Sequence, residues 1–153
     1  MKIHGKNISQ PTEEITVIPR SEGDIVFKAK AVLDFKVFNE LCPEPSLPIR
    51  HYADGREEPD PDDSGYKKKL DDWAQQKSSW MIIQSLSATE GLTWDTIEEE
   101  NPETWTRYRE ELEQDFTPGE INAIHEAVFK ANAIDDSKLE EAKNHFLAAQ
   151  QQA

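Results

Sequence analysis

A chain of 153 residues is long enough to bury one sizeable core, or a small domain with an appendage, without disulfide staples. Its single cysteine, Cys42, excludes an internal disulfide and fits a reducing compartment. The formal charge of -14 repels phosphate and argues against direct nucleic-acid binding, while no stretch approaches the about 20 apolar residues that span a bilayer.

The opening MKIHGKNISQ lacks the apolar run of a signal peptide, so the expectation is a protein that stays where it is made. Residues 14–33 read as β. In DIVFKAKAVL, the residues Ile25, Phe27, Ala29, Ala31 and Leu33 fall on one face, and Val26, Lys28, Lys30 and Val32 on the other. The β-branched run Ile15 to Ile18 is placed to pair with it. The connection is then Pro19 to Asp24, with Gly23 available for a positive φ. Phe35, Phe38 and Leu41 follow at helical spacing and predict one or two helical turns.

Residues 43–63 read as a connector. Five of the nine prolines lie here (Pro43, Pro45, Pro48, Pro59 and Pro61), with Gly55 and many acidic residues. The chain then turns helical. Tyr66, Leu70, Trp73, Lys77, Trp80, Met81 and Gln84 keep a three-four spacing, and Ile82, Ile83 and Leu86 broaden the stripe. This predicts a helix of about 20 residues that stops before Gly91. Thr93 or Asp95 is placed to start a short second helix, ended by Pro102. Asn101, Pro102 and Glu103 restart the helix as N-cap, first position and first turn. Trp105, Tyr108, Leu112 and Phe116 line its face. Thr117-Pro118-Gly119-Glu120 forms a capping box, with Ile121, Ile124, Val128 and Ala131 behind it. Ser137 and Glu140 form a second box before the stripe Leu139, Ala142, Phe146 and Ala149.

These elements predict an α+β, mostly α fold. It has an N-terminal β-hairpin or small sheet (residues 1–42), a Pro-rich acidic linker (43–63) and a bundle of about four to five short helices (64–150).

Chemistry is hard to find along it. Asp60, Asp62, Ser64 and Gly65 match the first, third, fifth and sixth positions of an EF-hand calcium loop. The twelfth is Asp71 where Glu is expected, the eighth is Lys67, and no helix leads in. A helix N-terminus preceded by acidic residues explains the segment better. The histidines His4, His51, His125 and His145 have no metal-ligand spacing. Nucleotide-binding, serine-hydrolase and dithiol motifs are missing. Pro43 follows Cys42 and no cationic neighbour lowers its pKa. No catalytic residue, no metal and no cofactor is therefore expected.

Charge and aromatics carry the remaining signal. Residues 88–141 hold 16 Asp/Glu against 4 Lys/Arg. Trp73, Trp80, Trp94 and Trp105 lie close together in sequence. Trp73 and Trp80 read as core. Trp94 and Trp105 begin short helices, where one ring is placed to stay partly open. The candidate partner-binding residues are Trp94, Trp105, Tyr108, Phe116 and Trp80.

The order of segments resembles a family. A β-rich start is followed by LCPEP (Leu41 to Pro45), the acidic linker, SGYKKKLDDW and SSWMIIQSL (Ser64 to Leu86). Next come GLTWDTI and NPETW (Gly91 to Trp105), EL-x3-FTPGEI (Glu111 to Ile121) and LEEAKNHFL (Leu139 to Leu147). Together these look like the tail assembly chaperones of long-tailed, non-contractile bacteriophages. The resemblance implies a non-catalytic protein of the host cytoplasm, absent from the mature virion. It would bind the aggregation-prone tape measure protein, and possibly the tail tube protein, as a homo-oligomer or in several copies per client. Some members of the family are also made in a longer form by ribosomal frameshifting. Two other readings fit the composition. One is an acidic mimic of DNA that inhibits a basic partner. The other is a small virion component whose hairpin joins a neighbour's sheet.

Overall fold

The computed structural model describes residues 1–133 and five helical positions beyond them (140, 143, 144, 147 and 148). The fold is α+β and mostly α, with small antiparallel sheets toward the N-terminus. The stripe Leu139, Ala142, Phe146 and Ala149, the N-cap Ser137 and His145 lie outside the described residues.

The strands are β1 (Lys2–Ile3), β2 (Lys6–Asn7), β3 (Glu14–Ile18), β4 (Ile25–Ala29), β5 (Ile49–His51) and β6 (Glu57–Pro59). The helices are α1 (Lys36–Leu41), α2 (Ser64–Leu86), α3 (Tyr108–Asp115) and α4 (Pro118–Ala131), with a 3₁₀ helix at Pro102–Arg107. They form two compact units that interleave along the sequence. One comprises Met1–Leu33, Gln84–Thr93 and Leu112–Ala153; the other comprises Asp34–Ile83 and Trp94–Glu111.

In the first unit, β3 and β4 form the expected hairpin, in register from Glu14↔Ala29 to Ile18↔Ile25. Gly23 sits at φ +127 in the connection, as its missing Cβ permits. Helix α4 packs across both strands. Its stripe Ile121, Ile124, Val128 and Ala131 is buried, together with Ile18, Phe27, Ala29 and Leu86. The Thr117 hydroxyl accepts from the Glu120 N–H at 3.2 Å, and Glu120 accepts from the Thr117 N–H at 3.0 Å, which closes the capping box.

Strand β4 is shorter than the alternation predicts. Past Ala29 its backbone turns to other partners. The Lys30 N–H donates to the Ser85 carbonyl at 2.9 Å. The Val32 N–H donates to Asn132 Oδ1 at 2.8 Å. Ala31 and Leu33 therefore leave the strand face, and Leu33 is exposed. A further two-stranded turn, β1–β2, was not legible in advance. His4 and Gly5 both take positive φ there, the geometry of a tight hairpin turn.

In the second unit, α1 is the predicted short helix and α2 the predicted long one. Asp63 caps α2, its Oδ1 accepting from the Tyr66 N–H at 2.8 Å. The acidic stretch thus serves a helix start, with Asp62 also 3.5 Å from Lys67. Helix α2 ends at Leu86, before the turn that contains Gly91. The connector contains a hairpin: β5 pairs β6 antiparallel from Ile49↔Pro59 to His51↔Glu57. Pro59 fits because a two-stranded ribbon leaves its missing N–H on an open edge. Gly55, at φ +86, makes the turn.

Residues 93–101 are not the short helix that Thr93 or Asp95 suggests. Their backbone is bonded by side chains instead. Glu111 accepts from the Asp95 N–H at 2.6 Å, the Thr96 N–H at 3.1 Å and the Thr96 hydroxyl at 2.7 Å. Thr104 Oγ1 accepts from the Glu98 N–H at 2.9 Å. With those donors spent, an i to i+4 ladder has little to gain. Asn101 does cap the next turn, accepting from the Glu103 N–H at 3.3 Å, but that turn is 3₁₀ before α3 begins.

Candidate functional site

The second unit is built on aromatic packing. Phe38 of α1 is fully buried. Its ring centroid lies 5.9 Å from Trp73, 5.7 Å from Trp80 and 5.9 Å from Trp105. The spacing of Trp73 and Trp80 on α2 puts both on one face, two turns apart. Lys77 lies between them in sequence on the same stripe. Its ammonium sits 5.0 Å above Phe35 and 5.0 Å above Trp73, which explains how a cation occupies an apolar row. Trp105 Nε1 donates to the Glu98 carbonyl at 3.2 Å, and Trp73 Nε1 to the Cys42 carbonyl at 3.0 Å. These two indoles are thus satisfied at their polar ends.

Three of the five aromatic candidates are therefore interior. Trp80, Trp105 and Tyr108 are buried, whereas Trp94 is half-buried. Phe116, in the first unit, is half-buried beneath the Arg20 guanidinium and stands edge-on to Phe27 at 5.3 Å. Of the two tryptophans that begin short segments, Trp94 is the partly open one. It meets Tyr108 edge-to-face, with centroids 6.5 Å apart at 87°.

Tyr108 also lines an open cleft of about 510 Å³. Ala74, Gln75, Ser78 and Ser79 of α2 form one side; Thr106, Tyr108 and Arg109 complete it. Clefts of about 300–1,000 Å³ are the usual size for sites that take a ligand or a side chain. Burial pushes the Tyr108 phenol up, with Arg109 pulling the other way, so it remains protonated at neutral pH. The cleft is lined by the hydroxyls of Ser78, Ser79 and Thr106, the Gln75 amide and the Arg109 side chain, with small side chains over which a rod-like segment could approach closely. Sequence reasoning missed Ala74, Gln75, Ser78 and Thr106 because a polar helix face reads as simply solvated.

The groups that might have carried chemistry are engaged otherwise. The Cys42 thiol is buried, donates to Gln76 Oε1 at 3.1 Å and is pushed up by desolvation. His51 Nδ1 lies 3.3 Å from Glu57 on the β5–β6 hairpin, and His125 stacks on Phe129 at 6.2 Å. Among the described residues no three His, Cys, Asp or Glu side chains gather as a metal site, and no helix is long and apolar enough to cross a membrane.

The shortest ion pair among the described residues is in the first unit. Arg20 clamps Glu120 through both nitrogens, at 2.6 and 2.9 Å, and donates to the Asp115 carbonyl at 3.1 Å. Hydrogen bonding to Arg20, then to the Thr117 N–H, holds the Glu120 carboxyl at about 2. The clamp ties the β3–β4 connection to the start of α4. No family model, curated protein or solved structure matches the chain.

Proposed function

We propose that the protein is a non-catalytic assembly chaperone of the kind that serves phage tails, holding the tape measure protein soluble in the host cytoplasm until the tail tube forms around it. The observation that carries this reading is the open cleft lined by Tyr108, whose ring meets the half-buried Trp94. It lies in a unit whose aromatic core is already closed. An amphipathic client helix could lay an apolar side chain into such a cleft. The small side chains at positions 74 and 78 favour close approach. The excess of 16 acidic over 4 basic residues in 88–141 would draw a basic client and keep the complex soluble. The order of sequence segments from LCPEP to LEEAKNHFL supports the same family.

The test is co-expression with a phage tape measure protein. The chaperone reading expects more soluble client and a complex that co-purifies. It expects Trp94→Ala to cut the soluble fraction while leaving the protein folded. No gain in soluble client with the unaltered protein would refute it.

A further inference from the structure

The β3–β4 hairpin presents two features that the other described residues leave unused. Its outer face is apolar: Ile15 is 59% exposed, Val17 54% and Val26 42%. Val17 pairs with Val26, and Ile15 with Lys28. The inner-face residues Ile18, Phe27 and Ala29 are buried, so the exposed row is a second face, not a frayed core.

Among the described residues nothing pairs with the outer edge of β3, and the hydrogen bonds of β4 show which of its groups face that edge. The Lys28 N–H donates to Thr89 Oγ1 at 2.9 Å, and the same hydroxyl donates to the Lys28 carbonyl at 3.1 Å. The Lys30 N–H and carbonyl likewise bond Ser85, at 2.9 and 2.7 Å. Lys28 therefore points its backbone groups away from β3. In an antiparallel pair its partner must do the same in the opposite direction. That partner is Ile15, and two residues on, by the same alternation, Val17. Each offers an N–H and a carbonyl at the free edge, about 6.8 Å apart along the strand. The usual protections of an edge, an internal Lys, a proline or a bulge, are missing from Glu-Ile-Thr-Val-Ile.

Charge decides what fits there. Glu13 leads into β3, and Glu22 and Asp24 follow in the connection. The cation of that connection, Arg20, is held by Glu120. A second copy would bring another -14 to the same edge.

We infer that the open edge of β3 binds an extended segment of a client by strand addition, a segment with alternating apolar side chains and lysine or arginine at its ends. Ile15 and Val17 supply the main-chain bonds, and the row Ile15, Val17 and Val26 supplies the apolar contact. The inference rests on the client-binding reading for its biological occupant, but its chemistry is testable without that client.

The probe is a short synthetic peptide in which valine and threonine alternate between lysine ends, with a second peptide carrying proline at its centre. Amide exchange is followed residue by residue on the whole protein. In the free protein, Ile15 and Val17 should exchange fast and Thr16 slowly. The alternating peptide should slow Ile15 and Val17, whereas the proline peptide should not. Val17→Lys, which changes an exposed side chain, should weaken binding by about tenfold or more through lost apolar contact and added charge repulsion. Equal binding of both peptides, or protection of neither amide, overturns the inference. If Ile15 and Val17 are already slow in the free protein, and become fast on dilution or with Val17→Lys, a second copy occupies the edge and the inference also falls. Co-expression separates the two readings. Client solubilised equally by the unaltered protein and Val17→Lys removes the edge and keeps the chaperone. Peptide bound as described without client solubilisation does the reverse.

Discussion

Phe38→Ala removes the side chain around which the second unit's aromatics meet. Phe38 is 0% exposed, and three tryptophan rings lie at centroid distances of 5.9, 5.7 and 5.9 Å. Truncating a buried phenylalanine costs about 3–5 kcal/mol, because the transfer energy is lost and the rigid neighbours cannot fill the cavity. Ring–ring terms of about 0.5–1.5 kcal/mol per pair push toward the upper end, although pairs sharing one ring do not add fully. A loss of about 4 kcal/mol, with a urea slope of about 2 kcal/mol per molar, lowers the midpoint by about 2 M. Urea titration followed by tryptophan emission suits the purpose, since Trp73, Trp80 and Trp105 all report on this cluster. Phe38→Leu, which keeps most of the volume, should lose about 1 kcal/mol. A loss below about 1 kcal/mol for Phe38→Ala would mean that the cluster is not closed around this ring, and the account of the second unit would fail.

Further predictions address the polar contacts. Glu120 is held at about 2 from an ordinary value of 4.5, so its ion pair stabilises the fold fully above the unfolded value and loses that effect as pH falls toward about 2. The stability difference between the unaltered protein and Glu120→Gln should thus be constant near neutrality and shrink below about pH 4.5; a difference independent of pH across that window counts against the clamp. For Glu111, burial pushes the carboxyl up, but bonds from Asp95 and Thr96 outweigh it and leave it lowered. Glu111→Gln should cost about 1–3 kcal/mol and speed amide exchange at Asp95 and Thr96 above all, with unchanged exchange there as the contrary result. Burial raises the Cys42 thiol, so alkylation of the folded protein near pH 8 should be more than about tenfold slower than in the urea-unfolded chain.

The elements legible in sequence were those whose signals are local. Helix α4 follows from a capping box closed within four residues and from a stripe that repeats every turn. Helix α2 follows from spacing alone, although Asp63 starts it two residues before the expected Tyr66. Failures came where a distant side chain captured the backbone. The alternation of residues 25–33 predicts a strand to its end, yet Asn132, 100 residues away, takes the Val32 N–H. Helix signals at Thr93 and Asp95 lose to Glu111, which is 16 residues beyond Asp95 and 15 beyond Thr96. No propensity argument on residues 93–101 could contain that competitor.

The candidate site shows the same division more sharply. Trp94 and Trp105 look alike locally, each near the start of a short segment rich in acids. Trp105 is interior because Phe38, far away in sequence, packs against it at a tilt and because the Glu98 carbonyl accepts its indole N–H. Trp94 has a tyrosine on one side and remains half-buried. At β3 the sequence shows β-branched residues fit for a strand, and alternation separates two faces. Which backbone groups point to the free edge is a matter of hydrogen-bond parity, and sequence does not carry parity. It is set across the hairpin by Ser85 and Thr89, which sit at and just past the end of α2 and bond Lys30 and Lys28. Moving those partners by one residue would turn Ile15 and Val17 inward to β4 and offer Thr16 at the edge instead, with its hydroxyl already committed to the Ala123 carbonyl. The binding chemistry of β3 is therefore decided by two small hydroxyl residues on the opposite side of the sheet.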